Sequence, residues 1–236
     1  RRPDWHGSRS VTFTLTATQL RVAHFGQPFD DADVRGICGI AETTKGVTAI
    51  GRFGIGFKSV YTFTQRPAVH SGGEDFAIES YVWPIAIPAV DRQTDETVFV
   101  LALDAEDHAA HDEIAAGLQR LGARTLLFLR QIDEIAWSVE GGPSGLYVRG
   151  EPEEIGEGAR RIVLLGEEQG RPDVEEAWLL LSREAQTDAG AIAGRIEIAF
   201  SVIEDKKSKR WAIEALGGSP LVVFFPTVVE THLGFL

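Results

Sequence analysis

The sequence predicts an α/β fold: helices layered on a mixed β-sheet over residues 1–132, followed by a mainly antiparallel β segment over residues 133–236. Three observations predict it. Strand-like and helix-like stretches alternate through the first half. The strongest helical pattern, residues 105–121, falls there too, with Ile114, Leu118 and Leu121 on one apolar stripe. Beyond residue 133, short strand-like runs alternate with acidic turns rich in glycine and proline.

The elements follow in order. Residues 11–17 alternate β-branched or aromatic with polar side chains and read as a strand; residues 19–25 read as its hairpin partner across a short turn at Thr18 and Gln19. Gly26-Gln27-Pro28-Phe29 is a loop. Asp30 reads as the N-cap of an acidic helix start, with Val34, Ile37 and Cys38 at helical spacing behind it. Residues 43–47 are polar, residues 50–56 are glycine-rich, and residues 57–63 read as a buried helix. Strands are expected at 68–71, 75–83 and 97–103, and a buried strand at 126–129. The second half offers strands at 135–139, 145–148, 161–165, 177–181, 196–202 and 221–225, with loops at 151–160 and 166–175. The basic run at 205–210 reads as a solvated turn.

Composition narrows the function. The 236 residues suffice for one large domain or two small ones, and 44% apolar with 25% charged residues requires a packed core. A formal charge of −12 argues against a bulk electrostatic grip on nucleic acid or on an anionic membrane. A single cysteine, Cys38, leaves no intrachain disulfide and no multi-cysteine zinc site, and suits a reducing, cytoplasmic compartment. Cys38 itself reads as a small buried hydrophobe. No apolar run reaches the ~18–20 residues of a membrane span, and residues 1–6 lack the apolar region of a signal peptide. Methionine is absent even at position 1, so the chain is expected to be an excerpt of a longer one.

The chemistry-bearing candidate is the run Gly51-Arg52-Phe53-Gly54-Ile55-Gly56-Phe57-Lys58-Ser59. Three glycines in six positions let backbone amides approach a ligand, and a helix opening behind them would present free N–H groups to a phosphate. It is not a Walker A loop, because Phe57 stands between Gly56 and Lys58; it is not a dinucleotide fingerprint, because the third glycine site is Ser59. A glycine-rich helix entry that only permits tight packing is the alternative. His108 and His111, beside Asp107 and Asp112, read as a solvated helix face rather than a metal pair, and the tryptophans at 83, 137, 178 and 211 as packing residues.

The order His24-Phe25-Gly26-Gln27-Pro28-Phe29, then Thr44-Lys45, then residues 50–61 resembles the GHKL ATPase superfamily in its sacsin-like branch, related to the ninety-kilodalton heat-shock chaperone, gyrase B, MutL and the histidine kinases. The resemblance covers residues 11–104 and implies a Bergerat-type sandwich that binds ATP with Mg²⁺ in the complete protein. It implies ATP contacts at His24, Gly26, Lys45, Gly51, Phe53, Gly54, Gly56, Phe57 and Thr97: His24 at the adenine-reading position, Gly51 hinging a lid over residues 43–50, and Gly54, Gly56 and Phe57 offering N–H groups to phosphates. His24 stands where the superfamily has an Asp, and Pro28 where it has a glycine. On the residues alone, His24 also reads as a satisfied strand-end histidine, Lys45 as a solvated loop lysine and Thr97 as an ordinary β-branched strand residue. The superfamily's Glu-x-x-x-Asn helix, which supplies the catalytic Glu and the Mg²⁺-binding Asn, has no counterpart in residues 1–10, so no catalytic residue and no metal ligand is assigned. The partners implied are a nucleotide and a protein client; the alternative is a nucleotide-free scaffold or protein-interaction domain.

Overall fold

The computed structural model describes residues 7–39, 56–104, 108–187, 190–205, 210–223 and 225–236. The chain forms two compact units: residues 1–121 with 135–145, and residues 122–134 with 146–236.

In the first unit, strands β1 (Ser10–Leu15), β2 (Gln19–Phe25), β3 (Ala68–Ser71), β4 (Glu74–Glu79), β5 (Trp83–Ala86), β6 (Glu96–Ala102) and β7 (Glu134–Val139) lie in the order β7-β1-β2-β6-β3-β4-β5. β1, β2, β6, β3, β4 and β5 pair antiparallel, neighbour to neighbour. The β1–β2 turn closes where the Thr16 N–H donates to the Gln19 carbonyl at 2.9 Å. The β3–β4 turn needs a left-handed residue, and Gly72 supplies it at φ +57°.

Helix α1 (Asp31–Cys38) starts as its sequence dictates. The Asp30 carboxylate accepts from the Ala32 and Asp33 N–H groups at 2.8 and 2.9 Å, and Asp33 returns the bond to the Asp30 N–H. Its apolar residues Val34, Ile37 and Cys38 pack on Val69, Phe76 and Ile78 of the sheet, together with Phe29, Phe57, Tyr61 and Phe99. Helix α2 (His108–Gln119) buries Ala110, Ile114 and Leu118 and lies against β1.

The second unit holds β8 (Ser144–Arg149), β9 (Glu153–Gly156), β10 (Ala159–Glu168), β11 (Val174–Gln186), β12 (Ile192–Asp205) and β13 (Arg210–Glu214) in the order β8-β10-β11-β12-β13, with β9 on β10. β14 (Pro220–Val223) and β15 (Phe225–Glu230) form a separate antiparallel hairpin. Trp178, Leu180, Ile162, Leu164 and Ala199 fill the core. Arg124 forks onto Glu176 while its guanidinium lies 5.1 Å over the Trp178 ring.

The expected two-layer sandwich of helices on a sheet is corrected by this architecture. The chain is mostly β, and its described helical content is α1, α2 and two 3₁₀ segments, Gly56–Thr62 and Ala123–Leu126. Two stretches account for much of the difference. Residues 57–63 are β-branched or aromatic at five of seven positions, and form a 3₁₀ turn rather than a packed α-helix. The expected loops at 151–160 and 166–175 instead carry β9 and the ends of the long β10 and β11, whose polar side chains face solvent.

Candidate functional site

Strand pairing brings together residues far apart in sequence. His24 on β2 pairs with Thr97 on β6, and Thr97 pairs with Ser71 on β3. Directly paired residues project to the same face of a sheet, so the three side chains form one row. Thr97 and Ser71 share a 2.6 Å hydroxyl–hydroxyl hydrogen bond, and both are 0% exposed. The Ser71 hydroxyl also accepts from the Phe29 N–H at 3.0 Å, tying the loop after β2 to the row.

One position further along β6 on the same face, Phe99 is a hub. His24 stacks on it at 5.9 Å and 26°, Phe29 meets it edge-on at 6.2 Å, and Phe57 is tilted against it at 5.8 Å. Thus of the expected ATP contacts, His24, Phe57 and Thr97 converge around Phe99. Gly26 closes the end of β2, its N–H donating to the Asp95 carbonyl at 3.1 Å. Gly56 opens the 3₁₀ segment and is exposed. Lys45, Gly51, Phe53 and Gly54 lie outside the described residues. Pro28 packs where a Cβ on Gly72 would come within 2.7 Å of its own Cβ, so the glycine of the β3–β4 turn seats this loop.

Ser71, Phe99 and Lys58 carry no motif signal for a site role. Ser71 and Phe99 are visible only once the β2–β6–β3 register is known. Lys58 sits inside the glycine box, yet its ammonium donates to the Cys38 carbonyl at 3.0 Å and to the Tyr81 carbonyl at 2.5 Å. It joins the C-terminus of α1 to the turn between β4 and β5, where Ser80 and Tyr81 both hold positive φ. Burial pushes the Lys58 ammonium below the ordinary lysine range, and burial likewise pushes the Cys38 thiol up.

On the opposite face, Asp75 receives His70 Nδ1 at 2.7 Å and Arg92 Nη1 at 2.8 Å, and Arg92 Nη2 also donates to the Gly72 carbonyl. Burial alone would raise the Asp75 carboxyl, but the hydrogen bonds from His70 and Arg92 outweigh it and hold it below the usual carboxylate range. This cluster fastens the β3–β4 hairpin to the segment leading into β6.

A histidine beside aromatic rings is the kind of side chain a purine base packs on and bonds to, whereas the Thr97 hydroxyl is sealed from solvent and bonded to Ser71. For Mg²⁺, no group of three or more His, Cys, Asp or Glu side chains is gathered among the described residues. Nor is any helix among them long and apolar enough to cross a membrane.

Residues 20–79 match the sacsin domain, a span that holds His24, α1, the glycine box and β3–β4. The chain is similar to Protein NO VEIN of Arabidopsis thaliana, 31% identical over 97 residues. That match covers 38% of this chain and 4% of the plant protein. Among solved structures, the crystal structure of the N-terminal domain of a DNA repair protein superposes at a TM-score of 0.42 with 11% identity, over 78% of this chain and 64% of that one, too loosely to carry an argument. The chain therefore contains a sacsin-like region, and spans only a small part of its plant relative.

Proposed function

We propose that the sacsin-like region is a nucleotide-binding module of the GHKL kind, taking ATP with its base against His24 and Thr97 and its phosphates toward the glycine box. The observation that supports this reading is the convergence of His24, Phe57 and Thr97 on Phe99. These residues belong to separate segments of the chain, and the family resemblance implies the same ligand for each. His24 would read the base with an imidazole nitrogen, and Lys45, Gly51, Phe53, Gly54 and Gly56 would serve the phosphates. Mg²⁺ would come with the nucleotide in the complete protein.

The test is isothermal titration of Mg-ATP into the full-length protein and its Thr97→Val variant. Saturable binding weakened about tenfold by the variant, ~1.4 kcal/mol, is the expected outcome. No saturable heat at ~1 mM nucleotide, where a 10 µM ligand would give near-complete occupancy, would overturn it.

A second reading has its own observation. Ser71 and Thr97 are sealed from solvent and bonded to each other and to the Phe29 amide, so the row also serves as a closed packing layer of a protein-interaction scaffold. Under that reading the Thr97→Val variant loses stability, and no nucleotide protects either protein.

A further inference from the structure

The chain has three tyrosines and no methionine. Two of the tyrosines face each other: the Tyr61 and Tyr81 rings stand 4.5 Å apart between centroids, tilted by 43°. That separation is at the near end of the roughly 4.5–7 Å that aromatic pairs adopt, and it brings ring carbons of the two phenols into van der Waals contact. Tyr61 lies on the 3₁₀ segment Gly56–Thr62 and packs against Val69, Phe76 and Ile78. Tyr81 lies in the turn between β4 and β5 at φ +70°, and its carbonyl takes the Lys58 ammonium at 2.5 Å. The same ammonium lies 5.8 Å over the Tyr61 ring, so one side chain braces the turn and the ring together. The third tyrosine, Tyr147, is 1% exposed and donates to Glu168 at 3.0 Å.

The two phenols differ in access. Tyr81 is 54% exposed, whereas the Tyr61 hydroxyl is buried with no hydrogen-bond partner among the described residues. Burial, with Cys38 and Tyr81 adding to it, pushes the Tyr61 phenol above the ordinary tyrosine range. Tyr61 is therefore a neutral, electron-rich ring lying behind an exposed one. The sulfur groups that ordinarily absorb oxidising equivalents are scarce. Methionine is absent, and Cys38, the single cysteine, is 5% exposed with its thiol pushed up by burial, away from the reactive thiolate.

We propose that Tyr61 and Tyr81 form an oxidative modification site, at which a one-electron oxidant joins the two rings as dityrosine. The oxidant takes an electron from the exposed Tyr81, whose hydroxyl proton goes to water. A second electron leaves Tyr61 through the adjoining ring, and the Tyr61 hydroxyl, strongly acidic once its ring is oxidised, gives its proton to water. The two phenoxyl radicals couple between ring carbons ortho to oxygen, and the hydrogens on those carbons move to the oxygens, restoring two phenols. Two electrons and two protons are lost in all, and the electrons reduce two equivalents of oxidant. The new bond ties the segment Gly56–Thr62 covalently to the β4–β5 turn, the two parts that the Lys58 bond to the Tyr81 carbonyl joins reversibly. No nucleotide takes part in this step.

The test exposes the dilute 236-residue chain to a photo-generated one-electron oxidant, a ruthenium tris-bipyridyl complex with persulfate under visible light. Digestion after glutamate then separates Tyr61 from Tyr81 by cuts at Glu74 and Glu79. The expected product is a single chain lighter by two hydrogens, with the blue fluorescence of dityrosine and a cross-linked pair of peptides carrying Tyr61 and Tyr81. Tyr61→Phe and Tyr81→Phe keep the rings and are each expected to lose this product, whereas Tyr147→Phe is expected to keep it. The wild-type chain unfolded in urea is a second measurement that does not depend on how a variant folds; there the yield of the Tyr61–Tyr81 link is expected to drop. Several outcomes would each overturn the proposal: oxidation confined to Trp83, which is 65% exposed; links only between chains; a Cys38 thioether in place of the fluorescent product; the product persisting in Tyr61→Phe or Tyr81→Phe or vanishing in Tyr147→Phe; or an equal yield from the unfolded chain.

Discussion

Asp75 is the residue whose environment makes the sharpest solution prediction. Its carboxyl is held below the ordinary range by His70 and Arg92, so the stabilisation it gives is complete above the unfolded carboxylate value near pH 4 and is lost as pH falls through its depressed folded value. Urea midpoints of the native protein should therefore decline on acidification below about pH 4, and Asp75→Asn should lower stability at pH 7 by about 1–3 kcal/mol while flattening that acid limb. Lys58 makes a second prediction at this scale. Its two carbonyl acceptors belong to α1 and to the β4–β5 turn, so Lys58→Met should cost about 1–2 kcal/mol in denaturant melts. A lysine within a glycine box invites a phosphate role, but in the structure its ammonium donates to two carbonyls of the protein's own backbone.

Among the elements, the start of β8 is tightly specified. A Cβ on Gly145 would overlap the indole of Trp137, which is buried in the first unit. Gly145→Ala should thus destabilise by about 1–3 kcal/mol, read as a lowered melting temperature with a concomitant change in tryptophan fluorescence. The elements also show what sequence makes legible. The β1–β2 hairpin and the cap of α1 could be read because local signals specify them: alternating side chains around a two-residue turn, and an aspartate three residues before a second one. The alternation over residues 75–83 predicts one strand, yet the chain breaks at Ser80 and Tyr81, which hold positive φ with neither a glycine nor a proline at those positions to announce it. The apolar run at residues 126–129 predicts a strand, but Leu126 belongs to a 3₁₀ segment whose burial comes from packing. In the site, His24, Phe57 and Thr97 were accessible through motif resemblance. Ser71 and Phe99 were not, because their place depends on which strand neighbours which, and β3 reaches β6 only after a long excursion in sequence.

At the scale of the whole molecule, the sacsin match covers residues 20–79 and so falls within the first unit. The helix-on-sheet expectation failed at this scale for a physical reason. It took the helical periodicity of short segments as layers, whereas most of the chain's apolar residues lie on strands that bury one another.

The central claim is that the row of His24, Thr97 and Ser71 lies at the base side of a nucleotide site. Photolabelling the full-length protein with 8-azido-ATP, followed by peptide mapping, tests it most directly. The account predicts saturable labelling, competed by unlabelled ATP, on peptides containing His24, Phe57 or Thr97. Saturable labelling confined to other segments, or labelling that unlabelled ATP does not compete, would contradict it.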